Sequence, residues 1–133
     1  MNLRLTDKTA LVSGSTKGIG FAIAIGLARE GARVIVNGRS EQAVGEAKEQ
    51  IDQTVPDARI ESFAGDLSTA AVAETLLQRF PLVDILVNNL GIFEAKLFED
   101  IADEEWRRFF EVNVLSGVRL SRAYLPGMSS ALT

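Results

Sequence analysis

The chain has no cysteine and no histidine, and it carries one tyrosine, one tryptophan and three prolines in 133 residues. Without cysteine there are no disulfides and no thiol nucleophile; without histidine the commonest general base and metal ligand are missing together. Only carboxylates remain for a metal, so zinc sites and histidine-based triads are excluded and no metal-binding residue is assigned. Positive charge is also short. The net charge of −4 opposes binding to nucleic acid or to an anionic membrane, both of which call for a basic surface. Residues 19–28 form the longest apolar stretch, well below the roughly 20 residues of a membrane-spanning helix. No basic, hydrophobic leader precedes the first apolar run, which makes the cytoplasm the default location. These absences leave a small molecule as the expected partner.

What is present is an ordinary globular composition, 47% apolar, with length for one domain and a real core. The chain is organised around residues 13–20, Ser-Gly-Ser-Thr-Lys-Gly-Ile-Gly, which lie between the apolar run 9–12 and a helical pattern reaching Glu30. A turn from a buried strand into a helix leaves the first helical amides unpaired and adds the positive end of the helix dipole, so an anion is favoured there. Gly14 is free to take turn dihedrals, Gly18 lets a pyrophosphate approach the backbone, and Gly20 lets the helix pack closely on the strand. Their spacing fits neither the G-x-G-x-x-G fingerprint nor the G-x-x-x-x-G-K-[ST] loop. The plain alternative is a tight turn that binds nothing.

Strand and helix then alternate. Residues 9–12, 33–37, 59–64 and 83–87 read as strands, and the first lacks polar alternation, as in a sheet buried on both faces. Between them, Ile19, Ala22, Ile23, Gly26 and Leu27 mark a first helix closed by Gly31. Val44, Ala47 and Ile51 mark a second, capped by Ser40 and ended by Pro56. Val72, Leu76, Leu77 and Phe80 mark a third, capped by Ser68 or Thr69. The class is α/β with a parallel sheet and helices on both faces. A last helix is expected over about 103–125, stopped by Pro126 and Gly127. Its stripe of Trp106, Phe110, Asn113, Gly117, Leu120 and Tyr124 places one amide in an apolar row. Buried there, Asn113 would cost about 1–3 kcal/mol unless hydrogen-bonded, so it should have a specific partner; tying the helix to the sheet is one such role.

Four stretches in this order, residues 14–20, Gly65-Asp66-Leu67, Asn88-Asn89-Leu90-Gly91 and Asn113, resemble the short-chain dehydrogenase/reductase family, and in particular its 3-oxoacyl-acyl-carrier-protein reductases. The resemblance covers residues 3–128 but only about the first half of a typical member. It implies a Rossmann-type sheet of order 3-2-1-4 with the second half of the fold absent. It also implies a partial dinucleotide-binding domain over 1–128 and a frayed or truncated tail over 129–133. For the cofactor it implies contacts at Gly14, Ser15, Thr16, Lys17, Gly18, Ile19 and Gly20, at Arg39 and Ser40, at Asp66 and Leu67, with Asp66 on adenine, and at Asn89, Leu90 and Gly91. Leu90 stands where the family usually has Ala, and its bulk should crowd the cofactor side of the turn.

The family's catalytic set is Asn, Ser, Tyr and Lys, the last two as Tyr-x-x-x-Lys. Asn113 matches the first. The single tyrosine, Tyr124, is followed four positions on by Met128, and the last lysine is Lys96. The second strand ends in Asn37-Gly38-Arg39, where NAD-preferring members carry an acid. NADP(H) is therefore expected over NAD(H), with Arg39 and Lys17 as cations for the 2′-phosphate; the plain alternative for each is a solvated charge. The implied function is the NADP(H)-binding half of an oxidoreductase interconverting a carbonyl and an alcohol on a small molecule. Its alternatives are a non-catalytic dinucleotide-binding or interaction module, and a fragment that requires the missing C-terminal half. A homo-oligomer through the 103–125 helix, or association with the missing half, is also expected.

Overall fold

The computed structural model describes residues 2–131. They form a four-stranded parallel sheet in the order β3-β2-β1-β4, as the sequence led us to expect. The strands are β1 (Thr9–Val12), β2 (Arg33–Gly38), β3 (Arg59–Ala64) and β4 (Ile85–Val87), and the connecting helices are α1 (Gly18–Arg29), α2 (Glu41–Thr54) and α3 (Ala70–Arg79). Side chains alternate across a strand, so neighbouring residues enter different layers. Leu11 and Ile35 join Phe63, Leu76, Leu120 and Tyr124 on one face, while Val12, Val34 and Val36 meet Ala24, Ala28, Ala47 and Ile51 on the other. Two covered faces explain why the central strands β1 and β2 are buried along most of their length, whereas the edge strands β3 and β4 are only partly buried. Among the described residues no helix is long and apolar enough to cross a membrane.

Several expectations about elements need correction. The buried face of α1 is Gly20, Ala24 and Ala28, while Ile19, Ala22 and Gly26 are exposed. Small residues four apart let the helix lie close to the sheet, so Ile23 and Leu27 flank the contact half-buried. Strand β4 is shorter than 83–87: before it, Asp84 caps the neighbouring strand, its amide donating to the Thr9 carbonyl at 2.8 Å and its carboxylate accepting the Thr9 amide at 2.9 Å.

The last helix continues past its expected stop. It runs as α4 (Asp103–Phe110), a π-helical turn (Glu111–Leu115) and α5 (Ser116–Ala131), with Pro126 inside. Proline removes one donor from the ladder without ending it here, and the Ser130 hydroxyl donates to the Pro126 carbonyl at 3.0 Å. Residues 129–131 are thus helical, and Leu132 and Thr133 of the expected tail lie outside the described residues. The apolar stripe is split as well. Leu120 and Tyr124 are buried, but Trp106 and Phe110 are about half exposed, because α4 buries none of its residues. Asn113, expected in an apolar interface, is exposed.

Candidate functional site

The first turn of α1 faces a cleft of about 960 Å³ at the carboxyl ends of the strands. Ser40 caps α2 by accepting from the Ala43 amide, and Thr69 caps α3 by accepting from the Val72 amide. Helix α1 has Lys17 at the equivalent place, with no capping side chain and no acid in its first turn. Its N-terminal amides and the positive end of its dipole are therefore left for an external anion.

Gly14 and Gly18 both take left-handed backbone, with φ of +58° and +64°, a conformation costly for any residue bearing a Cβ. A Cβ on Gly18 would meet nothing within 4 Å, so the space above it is open to a ligand. Gly20 is constrained differently from expectation. Its missing Cβ makes room for the Asn89 amide and the Gly14 carbonyl, so it serves contact within the site more than contact with a strand.

The loop is held from two sides. From β2, the fully buried Asn37 accepts the Gly14 amide on Oδ1 at 3.0 Å and donates through Nδ2 to the Phe63 and Gly65 carbonyls, each at 3.1 Å. Its backbone amide donates to Ser15 Oγ at 2.9 Å, and that hydroxyl donates to the Val12 carbonyl at 2.7 Å. From β4, Asn89 Nδ2 donates to the Gly14 carbonyl at 3.0 Å, and Ser13 Oγ accepts the Asn89 and Leu90 amides at 3.0 and 3.2 Å. Leu90 lines the cleft and packs partly into the core; its Cδ1 lies 3.4 Å from where a Cβ on Gly14 would stand. The absent side chain of Gly14 thus takes up part of the bulk that replaces alanine.

On the other flank, Asp66 Oδ1 accepts the Ser68 amide at 3.0 Å and the Ser68 hydroxyl at 2.6 Å. The Ser68 hydroxyl bond holds the Asp66 carboxyl below its ordinary range; burial opposes it, and the Ser68 amide, Arg39 and Arg108 add smaller lowering effects. Arg119 braces the same turn, donating to the Ser68 carbonyl at 2.9 Å and to Glu111 at 2.8 Å.

The structure brings ten of the expected contact positions onto the cleft wall. Gly14, Thr16, Lys17 and Gly18 come from the loop, Arg39 and Ser40 from the end of β2, Asp66 from the end of β3, and Asn89, Leu90 and Gly91 from the end of β4. Ser15 and Leu67 are fully buried, Gly20 is buried, and Ile19 is exposed beside the cleft. Leu67 belongs to the core beneath Asp66, so its side chain is not on the wall. Asn113 is also off the wall. It accepts the Ile92 amide at 2.7 Å and donates to the Ile92 carbonyl at 3.1 Å, fastening the chain after β4 to the π-helical turn. It has a specific partner although it is exposed, so the burial argument that called for one does not apply.

Sequence reasoning did not assign Asn37, Gly38, Ala43, Gly65, Ser68, Ile92, Arg108 and Val112 to the wall. A polar amide closing the apolar run 33–37 was a readable signal for Asn37. Nothing local marked Arg108 or Val112, which the packing of the long helix delivers.

The tyrosine is elsewhere. Tyr124 is buried between α3 and α5, its hydroxyl donates to the Phe80 carbonyl at 2.8 Å, and burial pushes its pKa up to about 12.

Residues 8–132 match the family model described as short chain dehydrogenase. The oxidoreductase YvaG of Bacillus subtilis is 54% identical over 128 residues, which are 96% of this chain and 48% of that protein. Among solved structures, L-sorbose reductase from Gluconobacter frateurii, complexed with NADPH and L-sorbose, superposes with a TM-score of 0.87 at 35% identity, covering 98% of this chain and 51% of that one. A metagenomic short-chain oxidoreductase in complex with NADP superposes at 0.84 with 31% identity, covering 96% and 59%. The chain spans about half the length of the relatives it matches.

Proposed function

Because the chain belongs to the short-chain dehydrogenase family, we propose that it is the NADP(H)-binding part of an oxidoreductase that interconverts a carbonyl and an alcohol on a small molecule. The observation that carries this reading is the uncapped N-terminus of α1, open to a cleft of dinucleotide size and flanked by Lys17 and Arg39. The bound nicotinamide would supply or accept the hydride. The residues of this chain hold and orient. Amides at the start of α1 receive the pyrophosphate, Arg39 with Lys17 receives the 2′-phosphate, and the Asp66 carboxylate accepts from the adenine amine. Asn89, Leu90 and Gly91 line the continuation of the cleft, and Asn113 keeps that segment in place through Ile92.

The 2′-phosphate assignment is checked by calorimetric titration with NADPH and NADH. A charge-assisted hydrogen bond to each cation is worth about 1.5–3 kcal/mol, so NADPH should bind at least tenfold more tightly and Arg39→Ala should remove most of that preference. Equal binding of the two cofactors, or an unchanged ratio in the variant, would overturn it.

The position of Tyr124 supports a narrower reading of residues 1–133 taken by themselves, as a module that binds the cofactor without turning over substrate. Self-association belongs to the same proposal. Trp106, Phe110, Val114 and Val118 follow one another at intervals of four along the long helix and are 41–53% exposed, a row suited to pairing with a second copy.

A further inference from the structure

The cleft wall contains three cations, Lys17, Arg39 and Arg108, and one acid, Asp66. Two of the cations are engaged by the 2′-phosphate in the reading above, on which the present inference rests. Arg108 remains without a role. It makes no ion pair among the described residues. On its own helix, Glu105 is taken by Lys96 at 2.8 Å and Glu111 by Arg119 at 2.8 Å. The acid facing it across the cleft, Asp66, already accepts two bonds from Ser68 on one oxygen.

The helix that carries it is tied to the opposite side of the cleft. Arg119 donates to the Ser68 carbonyl and so holds the long helix against the Asp66–Ser68 turn, and the exposed Arg108 lines the cleft from that helix, one helical step from Val112, which also lines it. The cleft lining includes the small residues Gly38, Ala43 and Gly65 and no aromatic side chain, so a planar ring entering it meets no aromatic partner. The same lining includes two guanidinium groups, Arg39 from the end of β2 and Arg108 from α4.

We propose that Arg108 is a further cofactor-contacting residue, whose planar guanidinium covers the face of the adenine ring turned away from Arg39. A guanidinium over an aromatic face gains from the ring quadrupole and from stacking, and more so where the site excludes water. Arg108 then reads the part of the ligand common to NADP(H) and NAD(H), whereas Arg39 reads the phosphate that separates them.

The test titrates the protein, wild type and variants, with NADPH, NADH and reduced nicotinamide mononucleotide, which lacks the adenosine. Arg108→Ala should weaken NADPH and NADH alike, by about tenfold, leave their ratio unchanged and leave the mononucleotide unaffected. Arg108→Lys should recover less than half of the loss on a logarithmic scale, because the charge returns without the planar face. Unchanged NADPH and NADH binding in Arg108→Ala, a loss confined to NADPH, or complete recovery in Arg108→Lys would each overturn the inference. Failure of the wild-type protein to bind either dinucleotide would instead overturn the functional reading beneath it.

Discussion

An amide sealed inside a sheet is tolerated only if each of its groups is paired, and Asn37 meets that condition while joining two loops. Its side chain links Gly14, Phe63 and Gly65, so the phosphate turn and the Asp66 turn share one strut. Asn37→Leu leaves one donor and two acceptors buried without partners and should cost at least about 2 kcal/mol, read from the denaturant midpoint. Asn37→Asp keeps the acceptor for Gly14 but turns a carboxylate toward two carbonyls, and should be no milder. Tyr124 carries a pH signature. Burial raises its folded pKa to about 12 from about 10 in the unfolded chain, so the folded state favours the neutral phenol. Its contribution is complete below pH 10 and is lost as pH rises from 10 to 12; denaturation across that window should show a decline that Tyr124→Phe reduces. At this scale the sequence was legible wherever backbone geometry constrains residue type. Gly14 and Gly18 could be read because few other residues accept their dihedrals, and Ser40 because a cap has a known chemistry. Arg108 was invisible because an arginine on an exposed helix face looks the same whether a cleft lies beneath it or solvent does.

Elements were readable to the extent that their periodicity is regular. Helix α2 kept its expected face, Val44, Ala47 and Ile51 all being buried. Helix α1 did not, because apolar periodicity marks large residues whereas close approach to the sheet selects small ones, here Gly20, Ala24 and Ala28. The long helix failed for a different reason. A π-helical turn inserts an extra residue into the repeat, so the row containing Trp106 and Phe110 does not continue onto the face containing Leu120 and Tyr124. Asn113 sits in that turn and holds Ile92 by two hydrogen bonds. Asn113→Ala should free the Ile92 amide, giving faster hydrogen exchange there and in its neighbours, while the global denaturation midpoint shifts by no more than about 1 kcal/mol because the site is exposed. A global loss without local acceleration would show that the amide supports the helix itself and not the loop.

At the scale of the molecule, strand β4 forms one side of the sheet, with Ile85, Leu86 and Val87 only half-buried, and no strand pairs with its outer edge among the described residues. An apolar edge of this kind recruits other strands. Together with the exposed row on the long helix, it leads us to expect light scattering to show dimers or larger species at micromolar concentration; a stable monomer would contradict that. Catalysis is the sharper case. Transfer of hydride to a carbonyl builds negative charge on oxygen, and a positioned proton donor typically contributes 10²–10⁴-fold, about 3–5 kcal/mol of barrier. The charged side chains of the cleft wall are Lys17, Arg39, Arg108 and Asp66, whose carboxyl is held below its ordinary range, and the wall holds no tyrosine. The one tyrosine is committed to the Phe80 carbonyl, and its raised pKa opposes the ionisation that acid–base exchange would require. Residues 1–133 alone should therefore bind NADPH and yet leave it unoxidised across a panel of ketones and aldehydes, in an absorbance assay with intact mass confirming that nothing longer is present. Tyr124→Phe should change only stability, by about 1 kcal/mol. Steady NADPH consumption that disappears in Tyr124→Phe would place the proton donor on the long helix and refute this account of the cleft.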